Sequence, residues 1–439
     1  MIRSLQAGQL SLVHRWGKTL SRLLPPALVT IVGTTVLGLV VLPRSAWLGL
    51  FEGARASAVF LENVYLGTAG LTYEAASESA SPFQHFWSLS AQGQFLILWP
   101  LLAFAILKLL ARWTGPGRVK VFLFLTLAVT VLSFLYALRL VAVDQPVAYY
   151  SLGARMWELG AGALAAFLVP RLQRLRKVYT GSLGWVGIAL ILSSGFLIDG
   201  ATKFPGAWTL WPVGGSVLVL VSADSGGAAA VGLTRTLSWR PIAWLANRGY
   251  PLYLWHWPLL VYFLTYRRET SIGFLGAALV LAVSLGLSGL SLRFVSTPAT
   301  RAANAALASP AGRKKLLAAL MTGALAVAAL AQVGVWTEES RIREELSRTE
   351  QELAQASDAP QSAEEPHLAP PTTRDRWIPA PSVAKRDVPA IYAEGCVQNT
   401  RDLPESAKVL VCPNVPGSDA KELADDAAGR PVVVMGGGS

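Results

Sequence analysis

The run 85-HFWSLSAQGQFLILWP-100 is apolar enough to enter a membrane, yet its first half carries His85, Ser88, Ser90, Gln92 and Gln94. Polar side chains are costly in hydrocarbon and usually have a task there. On a helix beginning near His85, steps of three, four and seven put His85, Ser88, Gln92 and Trp99 on one face. Turned toward lipid these groups lack partners; turned inward they either line a polar path or bond neighbouring helices together. His85 falls at the outer mouth, where an imidazole stays wet, and is the candidate catalytic histidine.

Three further segments could carry chemistry. In 149-YYSLGARMWELGAGALAAFLVP-170, Arg155 and Glu158 lie three apart on one helix, one to two turns below the outer surface. A charge pair in a bundle is either an ion pair that locks helices or part of a substrate path. In 250-YPLYLWHWPLLVYF-263, His256 stands between two Trp and before Pro258, and the proline frees a carbonyl one turn back. At the inner end, 15-RWGKTLSRLLPPALV-29 spaces Arg15, Lys18 and Arg22 at helical steps. These cations either anchor the inner membrane face or hold a phosphate-bearing donor.

The elements that must position these residues are membrane helices. The 439-residue chain is 53% hydrophobic and 15% charged, well below the quarter usual for soluble domains. Apolar runs at 27–42, 92–111, 119–142, 151–170, 180–198, 207–223, 250–266, 272–295 and 314–336 predict an all-α polytopic bundle of about nine transmembrane helices. Alternating the loops sorts the charges. Arg15, Lys18, Arg22, Lys108, Arg112, Arg174, Lys177, Arg240, Lys314 and Lys315 fall on one side; Glu52, Glu62, Glu74, Glu78, Asp144 and Asp199 fall on the other, where Arg267 and Arg268 are the exceptions. This predicts a cytoplasmic amino terminus and an extracytoplasmic tail. The net charge of +11 therefore calls for no nucleic acid.

Composition changes at Thr337. A helix rich in Glu and Arg over 338–358 and a Pro/Ala/Ser-rich linker to 389 follow the membrane domain, residues 1–336. Residues 390–439 read as the incomplete start of an α/β domain, with a strand and glycine turn in 430-RPVVVMGGGS-439 that ends on Ser439. Cys396 and Cys412, the two cysteines of the chain, form a disulfide if that side is oxidising and are unrelated thiols otherwise. Nothing in the pattern asks for a metal.

The segments 84-QHFWSLSAQGQF-95 with Trp99-Pro100, 155-RMWELGAGAL-164 and 249-GYPLYLWHWPLLV-261, with Arg22–Pro25 at the first span, resemble the acyltransferase-3 family of membrane acyltransferases. The resemblance is to the branch fused to an extracytoplasmic SGNH-type domain, and it covers nearly the whole chain. It implies a bacterial multi-pass enzyme that moves an acyl group, in particular acetyl, from cytoplasmic acyl-CoA to hydroxyls of a cell-envelope glycan. No bound cofactor is implied. Lys18 and Arg22 would meet the donor, and Ser88, Gln92, Arg155, Glu158, His256 and His85 would line the path. Ser439 resembles the SGNH nucleophile. Two departures stand out. Family members commonly carry acidic residues where this chain has Gln92-Gly93. Two helices, one bearing the family's Arg and essential His, would precede the Arg22–Pro25 segment, so the resemblance implies a fragment inactive by itself. The rival from another class is a transporter or channel for a lipid-linked sugar or other solute, which would also use interior polar groups and a helix broken at Pro258. A membrane anchor without turnover sits poorly with polar residues on several spans.

Overall fold

The apolar runs fold as helices. A computed structural model of the protein describes residues 1–68, 81–113, 115–172, 177–198, 204–223, 233–269, 271–357, 397–399 and 409–411. It divides the chain into two units, Met1–Val335 and Trp336–Ser439.

The first unit opens with α1 (Ile2–Ala7) and α2 (Leu12–Val41). Ser11 caps α2, its hydroxyl accepting from the His14 N–H at 3.3 Å, so the helix starts fifteen residues before the apolar run at 27. Two short helices that the apolar pattern does not announce follow, α3 (Trp47–Ala58) and α4 (Glu62–Thr68). Then come α5 (Phe86–Leu109), α6 (Gly115–Val143), α7 (Gln145–Tyr150), α8 (Leu152–Leu172), α9 (Lys177–Leu197), α10 (Leu210–Ala223), α11 (Leu233–Leu237), α12 (Arg240–Arg267), α13 (Phe274–Ser291) and α14 (Thr297–Ala306). A π-helical turn, Leu292–Ser296, joins the last two. The helix α15 (Pro310–Ser357) begins in this unit.

Each of the nine apolar runs overlaps one of these helices. By length and composition, five of the described helical stretches can cross a membrane: Leu12–Val41, Phe86–Leu109, Gly115–Val143, Phe274–Ala306 and Pro310–Glu352. Ser182–Leu197 and Ala207–Ser222 are apolar but shorter. Both α8 and α12 carry polar groups within their apolar stretches, Arg155 and Glu158 on the first and His256 on the second.

One core joins α2, α3, α5, α12 and α15 through Ala27, Ile31, Leu50, Ala54, Phe86, Leu89, Leu254 and Ala331. A second packs Leu5, Phe95, Trp99, Ala103, Ile106 and Phe122 between α1, α5 and α6. Between α3 and α4 the chain reverses through Phe60, whose φ of 58° is strained for a residue with a Cβ. Gln94 on α5 holds this turn, its Nε2 donating to the Phe60 carbonyl and to Asn63 Oδ1, both at 2.8 Å. In the second unit the charged stretch of α15 carries ion pairs at turn spacing, Arg341 with Glu338 at 3.3 Å and with Glu345 at 3.5 Å. Strands β1 (Val397–Asn399) and β2 (Val409–Val411) pair antiparallel, Val397 opposite Val411.

Candidate functional site

A cavity of about 310 Å³ lies where the turn before α5 meets α7 and α12. Four of its lining side chains are aromatic: Trp87, Tyr149, Tyr253 and Trp257. The other four described lining residues, Gln84, His85, Ser88 and His256, are polar, and among the described residues no carboxylate, Lys or Arg lines it.

The prolines of α12 build one wall. Pro258 has no N–H to give the Leu254 carbonyl, and His85 Nε2 takes that place, donating to Leu254 O at 3.2 Å. The sequence places His85 at a wet outer mouth; the structure buries it, because its ring closes the gap that the proline opens. Its ring lies 4.7 Å from Phe86, 5.3 Å from Tyr253 and 5.9 Å from His256, centroid to centroid. Burial, with His256 beside it, pushes His85 down to about 3, against the opposite pull of the Leu254 and Pro82 carbonyls.

Three further bonds tie α12 to the start of α5 and the turn before it. The Tyr253 hydroxyl donates to the His85 carbonyl. With that proton committed, the 2.7 Å contact between Ser88 Oγ and Tyr253 Oη has Ser88 as donor. Trp257 Nε1–H donates to Ser81 O at 2.9 Å. His256 bends back on its own helix, Nδ1 lying 2.7 Å from Tyr253 O and 3.3 Å from Leu252 O. Carbonyls only accept, so the neutral ring carries its proton on Nδ1 and keeps a lone pair on Nε2. Each ring thus commits one nitrogen to a backbone carbonyl, His85 through Nε2 and His256 through Nδ1.

Arg155 and Glu158 form the ion pair their spacing predicts, 3.0 Å apart. The guanidinium is boxed by aromatic rings, 4.3 Å from Phe204, 4.7 Å from Trp87 and 5.5 Å from Tyr149. Two of these rings also line the cavity, so the pair stands behind its wall and not in it.

Gln92 does not join the site. It is exposed, one turn from Ser88, because α5 turns Ser90 and Gln94 inward to meet α4. Trp99 stacks on Phe95 at 4.6 Å in the second core and lines no path. Lys18 and Arg22 are exposed on α2, and neither lines the cavity. Ser439, Cys396 and Cys412 lie outside the described residues. Among the described residues no three His, Cys, Asp or Glu side chains are grouped to hold a metal.

Two polar features escaped the sequence reading. Glu62 on α4 is fully buried; its Oε2 accepts from Ser57 Oγ at 3.2 Å, and its N–H donates to Ser90 Oγ at 3.2 Å. Burial raises its carboxyl well above the usual carboxylate range, the Ser57 hydrogen bond opposing in part. Gln84 lines the cavity with its Oε1 buried and without a partner. Neither sits in an apolar periodicity, the signal that drew attention to α5 and α12.

The chain is 24% identical over 295 residues to peptidoglycan O-acetyltransferase OatA of Listeria monocytogenes, covering 66% of this chain and 46% of that protein. It is 26% identical over 290 residues to the putative peptidoglycan O-acetyltransferase YrhL of Bacillus subtilis, covering 64% and 45%. O-acetyltransferase OatA of Staphylococcus aureus is 23% identical over 298 residues, covering 66% and 48%. The chain thus spans about half the length of these relatives. No solved structure matches. Residues 5–293, well over half of the chain and inclusive of every cavity residue, match the family model described as an acyltransferase domain, and the chain belongs to that acyltransferase family.

Proposed function

We propose that the protein is a membrane O-acyltransferase that moves an acyl group, in particular acetyl, from cytoplasmic acyl-CoA to hydroxyls of the cell-envelope glycan. Family membership supports an enzyme over a transporter, and the relatives' names supply the acetyl group and the peptidoglycan acceptor. In this reading the amino terminus is cytoplasmic, the bundle crosses the membrane nine times, and Lys18 and Arg22 meet the donor's phosphates. The segment ending at Ser439 belongs to an extracytoplasmic SGNH-type portion that passes the acyl group on.

The observation that carries the reading is the setting of His256, with Nδ1 2.7 Å from the Tyr253 carbonyl. Its Nδ1–H is spent on the Tyr253 carbonyl, leaving Nε2 to accept a hydroxyl proton in an aromatic-walled cavity. As the acceptor oxygen bonds to the acyl carbon, its proton passes to Nε2. The Tyr253 carbonyl steadies the imidazolium, and the same proton then goes to the departing thiolate as the C–S bond breaks. General-base help of this kind is typically worth about 10²–10⁴-fold.

The test supplies labelled acetyl-CoA inside vesicles carrying the full-length protein and follows label in glycan outside. His256→Gln should lower transfer by about 10²–10⁴-fold with the protein still folded. Full activity in that variant would overturn the assignment.

A further inference from the structure

Asn63 on α4 is 3% exposed, Gln94 on α5 is half-buried, and neither lines the cavity. Their two amides nevertheless form a relay that ends at its wall. The Asn63 amide lies 3.2 Å from the Tyr150 carbonyl, which only accepts, so Nδ2 faces it and Oδ1 points the other way. Oδ1 accepts from Gln94 Nε2 at 2.8 Å. The same Nε2 gives its second N–H to the Phe60 carbonyl, also at 2.8 Å. The carbonyls at the two ends thus demand one orientation of both amides. Turning either one sets oxygen against oxygen.

The relay ends on the last residue of α7. That helix has six residues, too few to hold its shape unaided. Asp144 caps its start, Oδ1 accepting from the Val147 N–H at 3.0 Å, and Gln145 Nε2 donates to Phe204 O at 2.8 Å. The carbonyls of a helix's last turn have no donor within the helix. At Tyr150 it is Asn63 that supplies one. Tyr149, beside it, lines the cavity, its ring 5.0 Å from Trp87 and 5.6 Å from Phe204, centroid to centroid. The Tyr150 ring lies 5.9 Å from Trp87. One bond at the Tyr150 backbone thus sets where two rings meet Trp87.

Buried amides ordinarily hold helices together. This pair also sets a cavity wall, because the short helix that it anchors is the one that carries Tyr149. We propose that Asn63, oriented by Gln94, is a positioning residue for acyl transfer: it anchors the end of α7 and so fixes the Tyr149–Trp87 side of the cavity, against which the substrate lies. It touches no reacting atom. The role in transfer rests on the acyltransferase reading; the anchoring does not. A misplacement of about 1 Å can cost about 10²-fold in rate.

The test compares the full-length parent with Asn63→Leu, which keeps the branched shape and removes the donor. In one measurement Tyr149 is replaced by 3-fluorotyrosine in both proteins, and its ¹⁹F signal is recorded in nanodiscs. The signal should shift or split in Asn63→Leu; an unchanged signal overturns the anchoring. Labelled acetyl-CoA inside vesicles then gives turnover per folded molecule and KM, well below both melting temperatures. Turnover should fall about tenfold or more, with the KM for acetyl-CoA within about twofold of the parent's. Parental turnover, or a fall expressed only as a raised KM, overturns the role in transfer; loss of folded protein alone changes neither value. If Asn63→Leu does not fold, Gln94→Met, which frees Asn63 to turn, serves in its place with the same outcomes. A parent that transfers no label overturns the acyl-transfer reading and the role within it, while the ¹⁹F comparison still decides the anchoring.

Discussion

His85 donates through Nε2, at 3.2 Å, to the Leu254 carbonyl that Pro258 leaves without its helical donor. The brace on one element thus answers a defect in another. His85→Ala should cost about 1–3 kcal/mol by stranding that buried carbonyl. In a Pro258→Ala background the new N–H can reach Leu254, and the same change should cost markedly less. Thermal unfolding of the four proteins in nanodiscs gives the coupling; strict additivity would argue against the brace.

Stability should fall on acidification. The folded chain takes up a proton on His85 only near about 3, against the ordinary histidine value of 6.5 in the unfolded chain. Between these limits the unfolded state binds more protons, so folding weakens as pH drops through the window. In His85→Asn the melting temperature should depend less on pH between 6.5 and 4. An unchanged slope would mean that other groups set the acid sensitivity.

Glu62 predicts the opposite sign. Its carboxyl titrates above the ordinary 4.5, so above that pH the unfolded chain loses a proton that the folded chain keeps. Stability then declines with rising pH until the folded group itself ionises. Glu62→Gln, which mimics the protonated acid, should be at least as stable as the parent at pH 7 and show less of this decline. A large loss of stability in Glu62→Gln would show that the ionised form is the one the fold needs.

Orientation is open to labelling. Ser271, before α13, and Ser309, before α15, are both exposed and lie at opposite ends of the α13–α14 rod. In a background with Cys396 and Cys412 changed to Ser, Ser271→Cys should react with an impermeant maleimide in intact cells. Ser309→Cys should react only after permeabilisation. The reverse pattern inverts the topology.

Cys396 directly precedes β1 and Cys412 directly follows β2, the strands that pair Val397 with Val411. We expect a disulfide between them. Non-reducing peptide mapping of protein from the native envelope should find the linked pair, and two free thiols would refute it.

How much of this was legible follows from what periodicity can and cannot carry. Apolar runs announce helices, and helical spacing announces the Arg155–Glu158 pair, because both are properties of one segment. The carbonyl freed by Pro258 was also legible; that His85 fills it was not, since the partners are 169 residues apart. Helical steps put Gln92 beside Ser88, but the packing of α4 decides which side of α5 faces inward. Glu62 reads as an ordinary outer-loop acid because α3 and α4 are too short to leave an apolar stripe. Gln84 stands before the helix begins, where spacing says nothing.

The turn at Phe60 ties two positions into one. A Cβ at Gly93 would lie 2.5 Å from Phe60 Cδ1, so the ring above α5 tolerates no side chain there. Placing an acid at Gly93 is therefore first a steric problem and only then an electrostatic one. In genetic terms the two sites are epistatic: revertants of Gly93→Glu should map to smaller residues at position 60. A library randomised at both should keep small-with-large pairs and lose the rest.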